Sequence, residues 1–238
     1  MPVLVNTTLI FLGLIPSFVW LLFYLREDYK HPEPKRLILF TFLVSGLMTL
    51  ALIPIQLFLS RTIMSAGIDG HSFTAFVFLA FTEELTKFFT VLLFIHKRRE
   101  FDEPLDAMIY MIVAGLGFAA VENVASVINV ANGTVFNIAI FEAITLRAIG
   151  ATLLHTLASG IVGYYWAHAF IRSKGEFLLV HKSEFHILFA GLGLATVLHA
   201  IFNKLIIMSG PASIAILFVV ILAFFLLNDF EKLKKEDA

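Results

Sequence analysis

One length recurs along this chain and limits what it can fold into. Apolar runs of about twenty residues, the number of helical residues that crosses a ~30 Å hydrocarbon layer, follow one another from end to end. Inside hydrocarbon every backbone N–H and C=O must be paired within its own segment or a closed barrel, so a run of this length is a helix. The spacing predicts spanning helices over residues 3–25, 37–59, 72–95, 105–130, 148–171, 185–208 and 211–228. Of the 238 residues 59% are hydrophobic and 26 are phenylalanine, more apolar surface than a water-soluble domain can hide. The expected fold is all-α, a polytopic transmembrane helical bundle forming a single domain over 1–238, with about seven spans plus one interfacial or re-entrant helix. That extra helix is expected because 135–171 would reach roughly 55 Å as one straight rod. Its first part, "VFNIAIFEAITLR", mixes apolar residues with Asn137, Glu142 and Arg147.

The charges outside these runs orient the bundle. Segments 26–36, 96–104, 172–184 and 229–238 hold thirteen of the 17 lysines and arginines, and the connections on the opposite side hold only Arg61. Short loops rich in Lys and Arg stay in the cytoplasm, which predicts an outside N-terminus and a cytoplasmic C-terminus. The first apolar run has no basic residue before it and reads as a spanning segment, not a signal peptide. A net charge of −1 gives no reason to expect nucleic acid, and the absence of cysteine excludes disulfides, thiolate ligands and a cysteine nucleophile. Asn132-Gly133-Thr134 matches a glycosylation acceptor on the outer side, a match expected by chance.

A few ionisable residues remain inside the spans, each at an insertion cost of roughly 2.5–3.5 kcal/mol. They are Glu83, Glu84, Lys87, Glu122, His155 and His199, with Arg147 and Lys204 nearer an edge. Counting along helices of alternating direction places the glutamates and histidines within about 7 Å of one another in depth, delivered by four helices. Glu83 and Glu84 lie four and three residues before Lys87, so the lysine can neutralise one carboxylate along a helix face. Adjacent residues diverge by about 100°, so only one glutamate can aim straight into a shared cavity. His199 and Asn203 share a face at i,i+4. For Glu142 and Lys204 snorkelling to an interface is the simpler account. His96, His168, His181 and His186 lie at cytoplasmic edges, where solvation is expected.

These residues resemble a known family. "TEELTKFF" is similar to the EExxK motif of PrsW-type intramembrane proteases, and "EFDEPLDAMIYMIVAGLGFAAVENV" resembles that family's second block, with Glu122 and Asn123. Arg147, His155 in "LLHTLASGIVGYY", and His199 and Asn203 in "LHAIFN" follow in the family's order, and "YLREDYKHPEPKR" resembles its first cytoplasmic loop. Asn203 stands where many members carry aspartate, which leaves an amide donor there in place of an acid. The resemblance implies a membrane-embedded endopeptidase, distantly related to CAAX-processing proteases. It would act in a prokaryotic cell (inner) membrane on a single-span, anti-sigma-factor-like substrate. The catalytic set it implies is Glu83, Glu84, Lys87, Glu122, Asn123, Arg147, His155, His199 and Asn203.

Two mechanisms suit those residues. In the first, which is preferred, Glu122, His155 and His199 hold Zn²⁺ with one position open for water, and Glu83 or Glu84 takes the water's proton. In the second, of CAAX-processing type, no metal takes part: a glutamate and His155 deprotonate the water while His199 and Asn203 stabilise the oxyanion. Spacing does not choose between them, because the groups come from separate helices. A proton-coupled transporter is the rival outside the protease class, although the chain shows no internal repeat of the kind transporters carry.

Overall fold

The computed structural model describes residues 2–27, 32–131, 138–172, 185–208 and 213–236. The 132–134 acceptor sequence, His181 and most of the 172–184 connection lie outside them. The described chain is helical with no strand: α1 (Pro2–Glu27), α2 (Lys35–Ser65), α3 (Phe73–Phe94), α4 (Pro104–Ala131), α5 (Ile138–Leu146), α6 (Thr152–Arg172), α7 (Phe185–Ile207) and α8 (Ser213–Glu236). A five-residue π turn, Arg147–Ala151, joins α5 to α6 without a loop. Five segments are long and apolar enough to cross a membrane: Asn6–Arg26, α2, α4, the continuous Ile140–Arg172, and α7. α3 has bilayer length but carries Glu83, Glu84 and Lys87, and the apolar part of α8, Ile214–Asp229, is shorter. α2 runs to Ser65, past the expected end at 59, because the helix continues through polar Ser60, Arg61 and Thr62 where the apolar run stops.

The helices form around α4, which packs on α1, α2, α3, α5, α6 and α8. Every residue from Leu105 to Ala120 is buried, so this helix is apolar all round, as a fully enclosed one must be. Where helices meet, small residues let backbones approach. A Cβ on Gly117 would stand 2.2 Å from the Phe42 carbonyl of α2, and one on Gly115 would stand 2.7 Å from the His155 carbonyl of α6. The outer rows of α1, α2, α7 and α8 expose Phe11, Leu22, Leu47, Phe58, Phe189 and Phe224, the surface expected against lipid tails.

The start of α4 is tied down at its polar end. Asp106 accepts from the backbone N–H groups of Asp102 and Glu103 at 2.9 and 2.8 Å, satisfying donors that a helix start leaves free. Tyr110 donates its hydroxyl to Glu33 of the α1–α2 connection. His96, expected to be solvated, is buried just past the end of α3.

Candidate active site

α3 begins at Ser72, whose side chain caps Ala75 N–H at 3.2 Å, and one face of this helix carries Glu83, Glu84 and Lys87 into the bundle. All three are buried, and Lys87 and Glu84 have no exposed surface. Lys87 Nζ donates to Glu84 Oε1 at 2.7 Å, sits 2.8 Å from His155 Nδ1, and lies 4.7 Å from the centre of the Phe118 ring. The lysine therefore neutralises Glu84, its i,i+3 neighbour, and not Glu83.

The two histidines are held differently. Nδ1 of His199 is 2.7 Å from Glu84 Oε1; only the ring can donate there, so neutral His199 keeps its lone pair on Nε2. That nitrogen faces Glu83 Oε2 at 3.6 Å. His155 accepts from Lys87 at Nδ1, which puts its proton on Nε2, 2.9 Å from Glu122 Oε2. The rings stand edge to face with centres 5.0 Å apart.

Around Glu122 a second set of bonds closes the site. Arg147 Nη2 donates to Glu122 Oε2 at 3.0 Å, and its Nε donates to Asn123 Oδ1. Asn123 Nδ2 in turn donates to Thr152 Oγ1 at 2.9 Å and to Ser17 Oγ at 3.3 Å. The π turn places Arg147 here, and an indole N–H from α1, that of Trp20, donates to the Ala148 carbonyl within the turn at 2.6 Å. Local widening of a helix to i→i+5 bonding is rare and recurs at functional sites. From α2, Gln56 Nε2 donates to Glu83 Oε1 at 2.9 Å.

A cavity of about 310 Å³ opens onto this network, lined by Glu83, Glu122, Arg147, His155, His199 and Asn203 among apolar Phe76, Leu146, Leu154, Phe202 and Ile206. Glu84, Lys87 and Asn123 do not line it; they lie behind the residues that do. Lys204, on the same helix as Asn203, instead donates to the His71 carbonyl at 2.9 Å.

Whether these donors suit a metal ion can be read from the geometry. Glu83, His155 and His199 each offer a ligand atom, all within 4.8 Å of one another. Glu83 Oε2 is buried and has no hydrogen-bond partner among the described residues, which leaves a carboxylate oxygen free beside the lone pair of His199. Glu84 behind His199 Nδ1 is the carboxylate–imidazole arrangement that orients a metal ligand. Two imidazoles and a carboxylate fit zinc with an open position once His155 Nε2 gives up its proton and its bond to Glu122. The carboxylate in this group is Glu83, where the sequence suggested Glu122; Glu122 is engaged by Arg147 and His155. Gln56, Ser17 and Thr152 were missed from sequence, and the signal for the first two was a polar residue inside an apolar run.

Fold and site together define an integral membrane protein with a buried carboxylate–imidazole centre open to a small cavity. The profile of the PrsW family intramembrane metalloproteases matches residues 33–228, and the chain belongs to this family. It is 31% identical over 201 residues to Protease PrsW of Geobacillus kaustophilus, covering 84% of this chain and 80% of that protein. Protease PrsW of Oceanobacillus iheyensis is 31% identical over 66% of this chain and 67% of its own length, and that of Clostridioides difficile 23% identical over 95% and 90%. No solved structure matches the chain.

Proposed function

We propose that this protein hydrolyses a peptide bond in a single-span membrane protein, of the anti-sigma-factor kind, at the Glu83–His155–His199 centre. The observation that carries the reading is the free Glu83 Oε2 beside His199 Nε2 on the wall of a cavity inside the bundle. Glu83, His155 and His199 would hold Zn²⁺, which when bound supplies Lewis acidity and brings the water pKa to roughly 7. The rest falls to the chain. His155 Nε2, given to zinc, would release its bond to Glu122, whose Oε2 stays with Arg147. This leaves the other oxygen of Glu122 to take the water's proton and return it to the leaving amine. Asn203 on the cavity wall donates to the developing oxyanion. Lys87 and Glu84 touch no substrate; they fix the two rings. The apolar walls admit a hydrocarbon-like segment of substrate and keep bulk water from the reacting atoms.

One contact favours a metal-free variant of the same chemistry. Lys87 donates to His155 Nδ1, the reverse of the acceptor that a metal-bound ring usually meets. In that variant Glu83 is the base and the N–H of His155 a donor. Seven crossings by one domain spanning the chain, with the N-terminus outside and the C-terminus in the cytoplasm, complete the reading; the distribution of lysines and arginines supports it.

The test is cleavage of a single-span reporter by purified protein in detergent, with bound zinc measured in parallel. Glu83→Gln, Glu122→Gln, His155→Ala and His199→Ala should each lower kcat by about 10²–10⁴-fold. Cleavage at the wild-type rate in all four would overturn the assignment. Loss of activity without any zinc in the active wild type would select the metal-free variant.

A further inference from the structure

The C-terminal half of α2 turns outward, with Ile53, Ile55, Leu57 and Phe58 exposed. Gln56 sits among them, half-buried. A primary amide on a face otherwise made for lipid is unfavourable unless it finds a partner. Gln56 finds one across the helix interface, donating from Nε2 to Oε1 of Glu83 at 2.9 Å. The amide nitrogen is the donor in this bond, because an amide NH₂ group only donates.

We propose that Gln56 is a positioning residue for the reaction, turning Glu83 so that Oε2 faces His199 and His155. Three features carry this. Glu83 has two oxygens, and Gln56 holds Oε1, not the one paired with His199. The other, Oε2, lies 3.6 Å from His199 Nε2 and has no hydrogen-bond partner of its own among the described residues. Among those residues no second side chain donates a hydrogen bond to Glu83, whose side chain is 9% exposed, so without Gln56 the carboxylate can rotate and offer either oxygen. The inference rests on the reading of Glu83 as part of the reacting centre. If the amide were present only to satisfy itself on the nearest acceptor, removing it would alter stability and nothing else.

The experiment compares wild type with Gln56→Met, which keeps the length and loses the donor, and Gln56→Glu, which sets a second carboxylate against Glu83. Three quantities are read: kcat and KM on the single-span reporter, zinc affinity by chelator competition, and the melting temperature in detergent. Gln56→Met should lower kcat and zinc affinity by about 10–100-fold, the range for groups that orient a ligand, with KM within about twofold. Gln56→Glu should lose more. In a Glu83→Gln background, adding Gln56→Met should change zinc affinity by less than about twofold, since both act through one carboxylate. Should Gln56→Met fail to fold, Gln56→Asn, whose amide stops one methylene short, is measured in its place with the same expectation. Wild-type kcat and zinc affinity in the variant that folds would overturn the proposal, as would equal zinc losses with Glu83 intact and replaced. If active wild type binds no zinc, kcat alone decides. A wild type that cleaves nothing defeats the proteolytic reading instead, a result distinct from the others.

Discussion

Lys87 shows how the site tolerates charge at the level of single residues. An unpaired ammonium in a dry bundle would carry a penalty of several kcal/mol; this one meets Glu84 at 2.7 Å, an imidazole nitrogen at 2.8 Å and the face of Phe118. His96 behaves differently. Burial just past the end of α3 pushes its pKa down from the ordinary histidine value, the Leu92 backbone opposes this, and the charge of Lys97 adds to it. A ring whose folded pKa is depressed binds its proton less readily than the unfolded chain does. The protein should therefore lose stability as pH falls through about 6.5 and regain it above. Melting in detergent between pH 5.5 and 7.5 should show a shallower pH slope for His96→Gln than for wild type; an identical slope would refute this. The helices that carry the motif residues were the legible part of the site. Glu83, Glu84 and Lys87 stand on α3, Glu122 and Asn123 on α4, His155 on α6, and His199 and Asn203 on α7, whereas the π turn under Arg147 had no sequence signal. Rotation about each helix axis was not legible. Depth can be counted in residues, but which carboxylate faces the imidazole pair depends on how α3 and α4 turn against their neighbours, and that exchanged Glu83 for Glu122.

Among the elements, α4 carries the most constraint. Its apolar length announced a span, and its burial follows from packing by neighbours on every side that a single run cannot reveal. Gly117 marks the tightest approach to α2, and Gly117→Ala should destabilise the protein by about 1–3 kcal/mol as the Phe42 carbonyl is forced away. A Cβ on Gly193 of α7 would meet nothing within 4 Å, so Gly193→Ala should leave stability unchanged or slightly raised. Denaturation of both in the same detergent checks the contrast, and equal behaviour would sink it. Helix ends followed the sequence closely except at α2 and α8. These run past the expected 59 and 228 to Ser65 and Glu236, because each helix continues through polar residues beyond its apolar run. Gln56 escaped notice because a neutral amide barely dents an apolar run, whereas Glu83, Glu84 and Lys87 interrupt theirs.

At the scale of the whole molecule, the basic loops and the proposed seven crossings give a sided object. The chain has no cysteine, so single cysteines can report sidedness without background. Ala66→Cys, between α2 and α3, should react with a membrane-impermeant maleimide on intact cells. Lys97→Cys, between α3 and α4, should react only after the membrane is opened. The opposite pattern would invert the proposed topology.

The π turn has a consequence for insertions and deletions. Eight residues of plain α-helix separate two side chains by about 80° around the axis, yet Arg147 and His155 grip the same oxygen of Glu122. Counted as an inserted residue, the wider turn makes them behave as if seven apart, within about 20° of each other. The wider turn thus absorbs one residue without moving the guanidinium off its target. Removing that residue would leave the pair seven apart on plain α-helix, still about 20° from each other, whereas one more residue without a second widened turn would swing them to about 80°.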